Sequence, residues 1–541
     1  MSFQGLQENE TLITALECAA SAWPDRTFLV DNAGTTAERV TTYRELAEIS
    51  RILAGNLLRI GVRPGDRVAL MAENQSEWIA LFFAAARIRT PVVTINPRYR
   101  GRELSHMLHQ SGATSLAIAA KTAEIDFLQF IQDSPEIFKN IERLIVLPDA
   151  SGVPGDLSKI ERAVPYSDLL TASSALAVDL VPKPEDPAAI LYTSGTTGLP
   201  KGAVLTQGSL LASASAQVRH LGFVEDDVLV GHLPLNHVGG ITCTVLSSLL
   251  SGASVLLVPA FKPNQVLKLL AERGVTVLLA VPTMYTLLFG LDSMSTAPLS
   301  GVRLCVVGGA SVTSELYSRL AEHFPNRPII NLYGLSETSG ACILSDLDDD
   351  LPTLSTTLGR MIGDFQAKIV DPNGALVESG QPGELQVKGA CVASGYWDLY
   401  DETHQAFLEN GWLATGDIAK VSEEGRITLL GRKKEMYIQG GYNVYPAEVE
   451  SEISNYPGVA IVAGIGVPDP VLGEVGKFFV VPKPGAALDP GAIKTYLATR
   501  LADYKVPKYL QVAVELPLTA SGKVDKAALL QAETPRPEGG N

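Results

Sequence analysis

A short segment rich in hydroxyls and glycines is the part of the sequence best suited to bind an anion. Residues 191–202 read LYTSGTTGLPKG and supply hydroxyls at Thr193, Ser194, Thr196 and Thr197, glycines at Gly195 and Gly198, and a cation at Lys201. Glycines let backbone N–H groups approach phosphate oxygens, and hydroxyls add further donors. The Walker A pattern does not fit, because a glycine follows the lysine. We therefore predict a phosphate-binding loop of another kind.

The charge of the chain limits the partners that it can bind. Its 541 residues carry 59 acidic and 43 basic side chains, a formal net charge of −16. This balance argues against nucleic acid or an anionic lipid surface as the main partner. An anionic ligand must then be bound by a few local cations such as Lys201. The length predicts two to four domains.

Cysteine usage and the chain ends predict a cytoplasmic protein. The five cysteines are scattered without a CxxC pair, which predicts reduced core residues and no zinc site. The N-terminus lacks a basic leader, and the C-terminus lacks a lipidation box. The uncharged stretch 238–261 is long enough to span a membrane. Its serines and Ser-Gly turn instead predict a buried helix, a turn and a strand, and no membrane span.

Strand-like runs that alternate with helical segments predict an α/β fold of mainly parallel sheets. Examples are RVALMA at 67–72, AAILYT at 188–193 and VRLCVVGG at 302–309. Between about 355 and 431, short strands with glycine turns predict a β-rich subdomain. After it, two helical and two strand-like segments predict a small α+β domain over 435–541. The rest forms a large N-terminal domain over 1–431.

Five motifs together resemble those of the adenylate-forming superfamily, which holds acyl- and aryl-CoA synthetases, beetle luciferases and the adenylation domains of non-ribosomal peptide synthetases. They are YTSGTTGLPKG, YGLSET at 333–338, TGD at 415–417, GRKKEMYIQGGYNVYPAEVE at 431–450 and LTASGKVDK at 518–526. The resemblance covers nearly the whole chain. It implies that a carboxylate attacks the α-phosphorus of ATP, leaving an acyl-adenylate and releasing pyrophosphate. Because two anions must meet, the site needs cations and a Mg²⁺ ion.

The resemblance implies a nucleotide site built from these motifs. The loop 193–201 would wrap the β- and γ-phosphates, and Glu337 together with Thr196 would hold Mg²⁺. Tyr333 would stack on adenine. Asp417 suits both ribose hydroxyls because a carboxylate accepts at two oxygens, and Arg432 would add a ribose or phosphate contact. The further nucleotide-binding candidates are Gly309, Ala310, Asn331, Gly334 and Ser336.

The C-terminal motifs imply a domain that moves between two half-reactions. Lys523 would reach the site as a mobile charge that bridges the carboxylate and the α-phosphate. The small domain would then rotate about a hinge at 432–434, where Lys434 occupies the family's hinge position. After rotation, Gly440 and Gly441 would line a tunnel for the pantetheine arm of coenzyme A.

The segment HLPLNHVGGITC at 232–243 is predicted to form part of the acid pocket. By resemblance His237 is a gate that contacts the carboxylate of the acid, and Val238, Gly239, Gly240 and Gly308 line the pocket. Asn236 stands where many fatty-acid enzymes have phenylalanine. Such a pocket suits a mostly apolar acid, either aryl or medium-chain alkyl, and both classes stay open.

The leading hypothesis is an AMP-forming acid–CoA ligase with a small carboxylic acid, ATP and coenzyme A as substrates. One alternative is a stand-alone adenylation enzyme that loads a carrier protein, and another is a luciferase-like oxygenase. A non-catalytic nucleotide sensor would be expected to lose Lys523 or Glu337, and both are present. The oligomeric state, monomer or homodimer, stays open.

Overall fold

The computed structural model describes residues 10–122, 125–149, 157, 160, 163–171, 180–193, 200–518 and 524–533. Several predicted site residues lie outside this described part of the chain: Ser194, Gly195, Thr196, Thr197, Gly198 and Lys523.

A largely parallel sheet occupies the first part of the described chain. In spatial order its seven strands are Ala163–Pro165, Arg143–Leu147, Ser115–Ala119, Val68–Met71, Val92–Thr94, Pro187–Thr193 and Lys201–Thr206. Neighbouring strands run parallel except for the last pair, which is antiparallel. Central strands such as Val68–Met71 are buried throughout. Continuous apolar runs of this kind are typical of parallel strands that are covered on both faces.

A second sheet of nine strands, within the described residues, lies beside the first. Its order is Arg360–Met361, Gly340–Leu344, Ile329–Leu335, Leu304–Gly308, Val277–Ala280, Val228–Gly231, Ser254–Leu257, Thr27–Asp31 and Arg39–Thr42. The central strands are parallel, whereas the strands at both edges are antiparallel. The strand-like runs at 67–72, 188–193 and 302–309 therefore lie in these two sheets, as predicted.

The predicted β-rich region forms an antiparallel sheet. Its strands in the described chain are Gln366–Val370, Gly383–Lys388, Trp412–Val421 and Ile427–Arg432. A further sheet is built from Tyr442–Val444, Tyr437–Gln439, Gly473–Pro482, Val459–Asp469 and Tyr509–Val512. The first of these sheets ends at Arg432 and the second begins at Tyr437.

Helices cover the sheets. In the large N-terminal part the α-helices are Leu12–Ala22, Tyr43–Arg59, Ser76–Arg87, Gly101–Ser111, Phe127–Asp133, Tyr166–Thr171, Gln207–Leu221, Val238–Gly240, Ser247–Ser251, Pro263–Glu272, Pro282–Phe289, Ser314–His323, Leu351–Thr356 and Tyr400–Ala406. A π-helical segment, Ile241–Leu246, joins two of them. The helices of the C-terminal part are Pro446–Ser454, Pro490–Ala498 and Lys526–Glu533. Short 3₁₀ turns are Asp292–Thr296, Ser336–Thr338, Glu409–Gly411, Lys433–Glu435 and Asp503–Lys505.

The uncharged stretch 238–261 folds as the sequence predicts. Its helical part ends at Gly252, whose φ is +80°, and the strand Ser254–Leu257 follows. Nearly every residue of this stretch as far as Val258 is buried in the protein core. Across the described residues, no helix has the length and apolar character needed to cross a membrane.

Candidate active site

Several predicted site residues follow the carboxyl ends of parallel strands in the nine-stranded sheet. His237 comes after Val228–Gly231, and Gly308, Gly309 and Ala310 end or follow Leu304–Gly308. Asn331, Tyr333 and Gly334 lie on the parallel strand Ile329–Leu335, and Ser336 and Glu337 follow it. Because parallel strands end at one edge, these residues are brought to the same side of the sheet, where open α/β sheets bind their ligands.

The signature loop joins the last two strands of the seven-stranded sheet. Thr193 ends one strand, Lys201 begins the next, and the two residues are directly paired across the hairpin. The strand Lys201–Thr206 was not predicted from the sequence. The helix expected from about Thr206 is present as Gln207–Leu221, with the Thr206 hydroxyl accepting from the Ser209 N–H at 3.0 Å. A hydroxyl cap of this kind satisfies one of the free N–H groups at a helix start.

The base of the signature loop is held by the helix Gly101–Ser111. His106 Nε2 donates to the Pro200 carbonyl at 3.1 Å, and the Tyr192 hydroxyl donates to the Met107 carbonyl at 3.2 Å. Burial raises the pKa of Tyr192. The Tyr192 phenol therefore anchors the hairpin from inside and does not add to the hydroxyls that face an anion. Sequence reasoning did not point to His106, whose contact joins residues far apart in the chain.

Tyr333, Asp417 and Arg432 form one connected group. The Tyr333 hydroxyl donates to Asp417 Oδ2 at 2.5 Å, and Arg432 Nε lies 2.7 Å from Asp417 Oδ1. Asp417 and Arg432 are directly opposite each other on antiparallel strands. The Asp417 side chain is 1% exposed, whereas that of Arg432 is 41% exposed. Asp417, predicted to contact the ribose, and Arg432, predicted to contact the ribose or a phosphate, thus lie next to each other.

Burial is the main influence on the pKa values of Asp417 and Tyr333. It raises the pKa of Asp417, while the Arg432 guanidinium and the Tyr333 hydroxyl oppose that rise. Burial and the neighbouring Asp417 carboxylate raise the pKa of Tyr333 well above its ordinary value. Tyr333 is consequently a neutral hydrogen-bond donor at any ordinary pH. Tyr333 is 8% exposed. Its stacking on adenine stays a prediction, and it would have to use the small exposed part of the ring.

The other residues of this strand are held by backbone contacts. Asn331 is buried, and its Nδ2 donates to the Thr357 carbonyl at 3.3 Å. Ser336 is buried at the start of the turn Ser336–Thr338. Gly334 pairs closely with the neighbouring strand Gly340–Leu344. The nucleotide-binding role of Asn331 stays a prediction, and its amide also donates to the main chain.

Glu337 and Lys201 are linked through a residue that the motifs did not indicate, Tyr396. The Tyr396 hydroxyl donates to Glu337 Oε1 at 2.8 Å, and Lys201 Nζ lies 5.5 Å from the centre of the Tyr396 ring. A cavity of about 60 Å³ opens between Glu337, Tyr396, Thr415 and Arg432. It connects the predicted metal ligand with Arg432. Burial, together with the Glu337 carboxylate, raises the pKa of Tyr396, which therefore stays a neutral donor.

The described residues fit a magnesium ion that is carried by ATP. Magnesium in nucleotide sites is held by one or two carboxylates and by the substrate phosphates, rather than by a cage of protein ligands. Glu337 supplies a carboxylate at the cavity. No group of three His, Cys, Asp or Glu side chains suited to a metal occurs in the described part of the chain. The Glu337 carboxylate therefore suits Mg²⁺ that is bound to a triphosphate. The predicted ligand Thr196 lies outside the described residues.

The predicted acid-pocket residues lie at a short helix that follows the strand Val228–Gly231. His237 caps the helix Val238–Gly240, and its Nδ1 accepts from the Gly239 N–H at 3.1 Å. Because Nδ1 accepts, a neutral ring carries its proton on Nε2. A Cβ on Gly240 would lie 2.3 Å from the Pro234 carbonyl oxygen, so this position requires glycine. His237 is exposed and Val238 is buried, which leaves the imidazole accessible at the edge of the sheet.

The predicted coenzyme A residues form a tight hairpin. Gly440 and Gly441 connect the strands Tyr437–Gln439 and Tyr442–Val444, with φ of +58° and +87°. Two positive φ values are typical of a two-residue type I′ turn, which favours glycine at both positions. Lys434 is exposed on the turn Lys433–Glu435, between the last two sheets.

Comparison with known proteins places this geometry in a family. A model described as "AMP-binding enzyme" matches residues 16–397, and a model described as "AMP-binding enzyme C-terminal domain" matches residues 448–523. The chain is an AMP-binding enzyme. The fold class predicted from the sequence is confirmed, with mixed α/β sheets in a large N-terminal part and a smaller C-terminal part.

The relatives of this AMP-binding enzyme are CoA ligases. It is 34% identical to the feruloyl-CoA synthase of Amycolatopsis sp, over 93% of this chain and 97% of that protein. It is also 34% identical to the long-chain-fatty-acid–CoA ligase of Escherichia coli O6:H1, over 95% of this chain and 93% of that one. ATP-bound MatB from Rhodopseudomonas palustris superposes with a TM-score of 0.84 at 29% identity, covering 96% of this chain and 98% of that chain. The enzyme therefore belongs among the acyl-CoA ligases of the family.

Proposed function

We propose that this enzyme activates a mostly apolar carboxylic acid, aryl or medium-chain alkyl, with ATP and transfers it to coenzyme A. The observation that supports this most is the Tyr333–Asp417–Arg432 group beside the cavity at Glu337. It combines a buried two-oxygen acceptor for a ribose with a carboxylate for a nucleotide-borne metal ion. The relatives named above carry the names of a feruloyl and of a long-chain fatty acyl substrate, so an aryl and an alkyl acid are both kept.

In the first half-reaction the enzyme's own residues would hold two anions together. Asp417 would bind the ribose, and Arg432 would add a ribose or phosphate contact. Lys201 with the loop 193–201 would bind the phosphates that leave as pyrophosphate. His237 would direct the acid through its Nε2 side. Lys523 would neutralise the charge that develops as the carboxylate oxygen bonds to the α-phosphorus. Mg²⁺, when bound at Glu337, would supply further charge compensation to the phosphates.

In the second half-reaction the domain over 435–541 would reorient about the segment 432–434. The hairpin at Gly440 and Gly441 would then guide the pantetheine thiol to the acyl carbon, and AMP would leave. A thiol is a good nucleophile and AMP a good leaving group, so little base assistance is needed. The change of sheet between Arg432 and Tyr437 supports the proposed domain boundaries.

The test is a panel of aryl and alkyl acids incubated with the purified enzyme, Mg²⁺ and ATP. Acid-dependent exchange of labelled pyrophosphate into ATP reports the first half-reaction. Release of AMP that requires coenzyme A reports the second. A parallel arm with a phosphopantetheinylated carrier protein separates a carrier-loading enzyme, and oxygen uptake separates an oxygenase. The absence of exchange with every acid would refute the proposal.

A further inference from the structure

Tyr396 lies between two charged side chains of the proposed site. Its hydroxyl bonds to the Glu337 carboxylate at 2.8 Å, and the Lys201 ammonium is positioned over its ring at 5.5 Å. A cation at this distance from a ring centre is attracted by the face of the aromatic system. The phenol thus contacts both the predicted metal ligand and the predicted phosphate-binding cation, although neither motif contains it.

The position of the ring is fixed from several directions. Tyr396 forms a backbone bridge with Ala203, on the strand that begins at Lys201. Its N–H donates to the Thr403 hydroxyl at 2.9 Å, and its ring meets that of Phe407 edge-on with centres 5.3 Å apart. These contacts hold the Tyr396 ring in place independently of Glu337.

The Tyr396 ring lies between two side chains of opposite charge. The ammonium group of Lys201 occupies the ring face and the carboxylate of Glu337 occupies the hydroxyl, so the ring stands between opposite charges. A direct Lys201–Glu337 ion pair would neutralise both charges. It would compete with the phosphates for Lys201 and with the metal ion for Glu337. The hydrogen bond from Tyr396 uses Oε1 and leaves the second carboxylate oxygen for a cation.

We propose that Tyr396 is a positioning residue that presents the Glu337 carboxylate to the metal ion of metal-bound ATP and keeps it from pairing with Lys201. The inference rests on the proposed function, because the metal-bound nucleotide is taken from it. Hydrogen bonds to metal-binding carboxylates orient these ligands, and their loss commonly weakens metal affinity by about 10- to 100-fold.

The experiment measures Mn²⁺ binding to the protein–ATP complex by electron paramagnetic resonance, with no acid present and hence no turnover. Tyr396→Phe keeps the ring and its packing but removes the hydroxyl. We expect it to weaken Mn²⁺ binding about tenfold or more. Tyr400→Phe is the matched control, because Tyr400 is close in sequence and 75% exposed, and it should bind Mn²⁺ like the wild type. Melting curves check that both variants fold.

A double-mutant cycle tests whether Tyr396 acts through Glu337. In a Glu337→Gln background, Tyr396→Phe should cause no further loss of Mn²⁺ affinity, because the carboxylate that it positions is gone. Unchanged binding in Tyr396→Phe, a loss that persists in the Glu337→Gln background, or a wild-type ATP complex that takes up no Mn²⁺ would each overturn the inference. Failure of the ligase proposal would appear separately, as Mn²⁺–ATP binding without pyrophosphate exchange for any acid.

Discussion

Replacing Tyr333 by phenylalanine should destabilise the large domain in a pH-dependent way. The substitution removes one oxygen atom, and that atom donates at 2.5 Å to Asp417 Oδ2. Both side chains are buried, with Tyr333 8% and Asp417 1% exposed, so water cannot replace the lost bond. The ring and its packing remain. The change in free energy of unfolding should therefore report the hydrogen bond and little else.

The magnitude follows from the charge of the acceptor. A hydrogen bond to an ionised group is worth about 1.5–3 kcal/mol, whereas one between neutral groups is worth about 0.5–1.5 kcal/mol. We expect a loss of about 2 kcal/mol where Asp417 is ionised. As pH falls, a growing fraction of Asp417 is protonated, and the loss should fall toward about 1 kcal/mol.

The sign of the pH dependence can be worked out from the raised pKa of Asp417. A carboxyl group whose pKa is higher in the folded than in the unfolded state adds stability at low pH, and this stability is lost as pH rises through the folded pKa. The Tyr333 hydroxyl lowers the pKa of Asp417, so its removal raises that pKa further. The variant should therefore fall increasingly behind the wild type as pH increases.

Urea unfolding at pH 4.5 and pH 8, followed by tryptophan fluorescence, would measure the difference. Tyr317→Phe is the matched control. Tyr317 is also a buried tyrosine of the large domain, and its hydroxyl has no hydrogen-bond partner within the described part of the chain. The control should change stability by less than about 0.5 kcal/mol at either pH. An equal loss at both pH values for Tyr333→Phe would refute the reasoning.

Three further substitutions separate the roles of the site. Lys523→Ala should abolish acid-dependent pyrophosphate exchange but leave thioester formation from a supplied acyl-adenylate largely intact; equal loss in both assays would contradict the two-conformation account. Gly240→Ala, whose Cβ would lie 2.3 Å from a carbonyl oxygen, should raise the KM for the acid by about tenfold or more, whereas Gly239→Ala, 3.3 Å from a Leu233 methyl group, should change it little. Gly441→Ala, at φ +87°, should strain the hairpin by roughly 1–2 kcal/mol and slow thioester formation while leaving pyrophosphate exchange unchanged; a slowed exchange would speak against its assignment to coenzyme A.

Local patterns in the sequence were sufficient to predict most of the architecture. Apolar runs such as 67–72 and 302–309 contain buried strands. They could be predicted because a short continuous apolar run is itself visible in the sequence. The antiparallel sheet ending at Arg432 was likewise predicted from short strands and glycine turns. The strand Lys201–Thr206 was missed, because its pairing with Pro187–Thr193 is set by a hairpin whose turn is the signature loop. The composition of a glycine-rich loop does not indicate that the segments before and after it pair as strands.

The contacts within the site were less predictable than its members. The motifs pointed to Tyr333 and Asp417 separately, but their hydrogen bond joins residues 84 positions apart, and no local pattern encodes it. Tyr396 was overlooked for the same reason, since its partner Glu337 is 59 positions away. Such contacts arise only when segments far apart in the sequence meet in the folded protein. Residue roles implied by a motif therefore need the fold before their partners can be named.

The ion pair between Asp417 and Arg432 also limits where the proposed rotation of the C-terminal domain would begin. Arg432 is tied to the body of the enzyme by its own side chain, so within the proposed hinge 432–434 the rotation would begin at Lys433. The ribose of the nucleotide would then stay bound through both half-reactions, while the C-terminal domain rotates and presents a different surface to the site. A protein truncated after Arg432 would therefore keep the Tyr333–Asp417–Arg432 group and should still bind the nucleotide, although it could not complete both half-reactions.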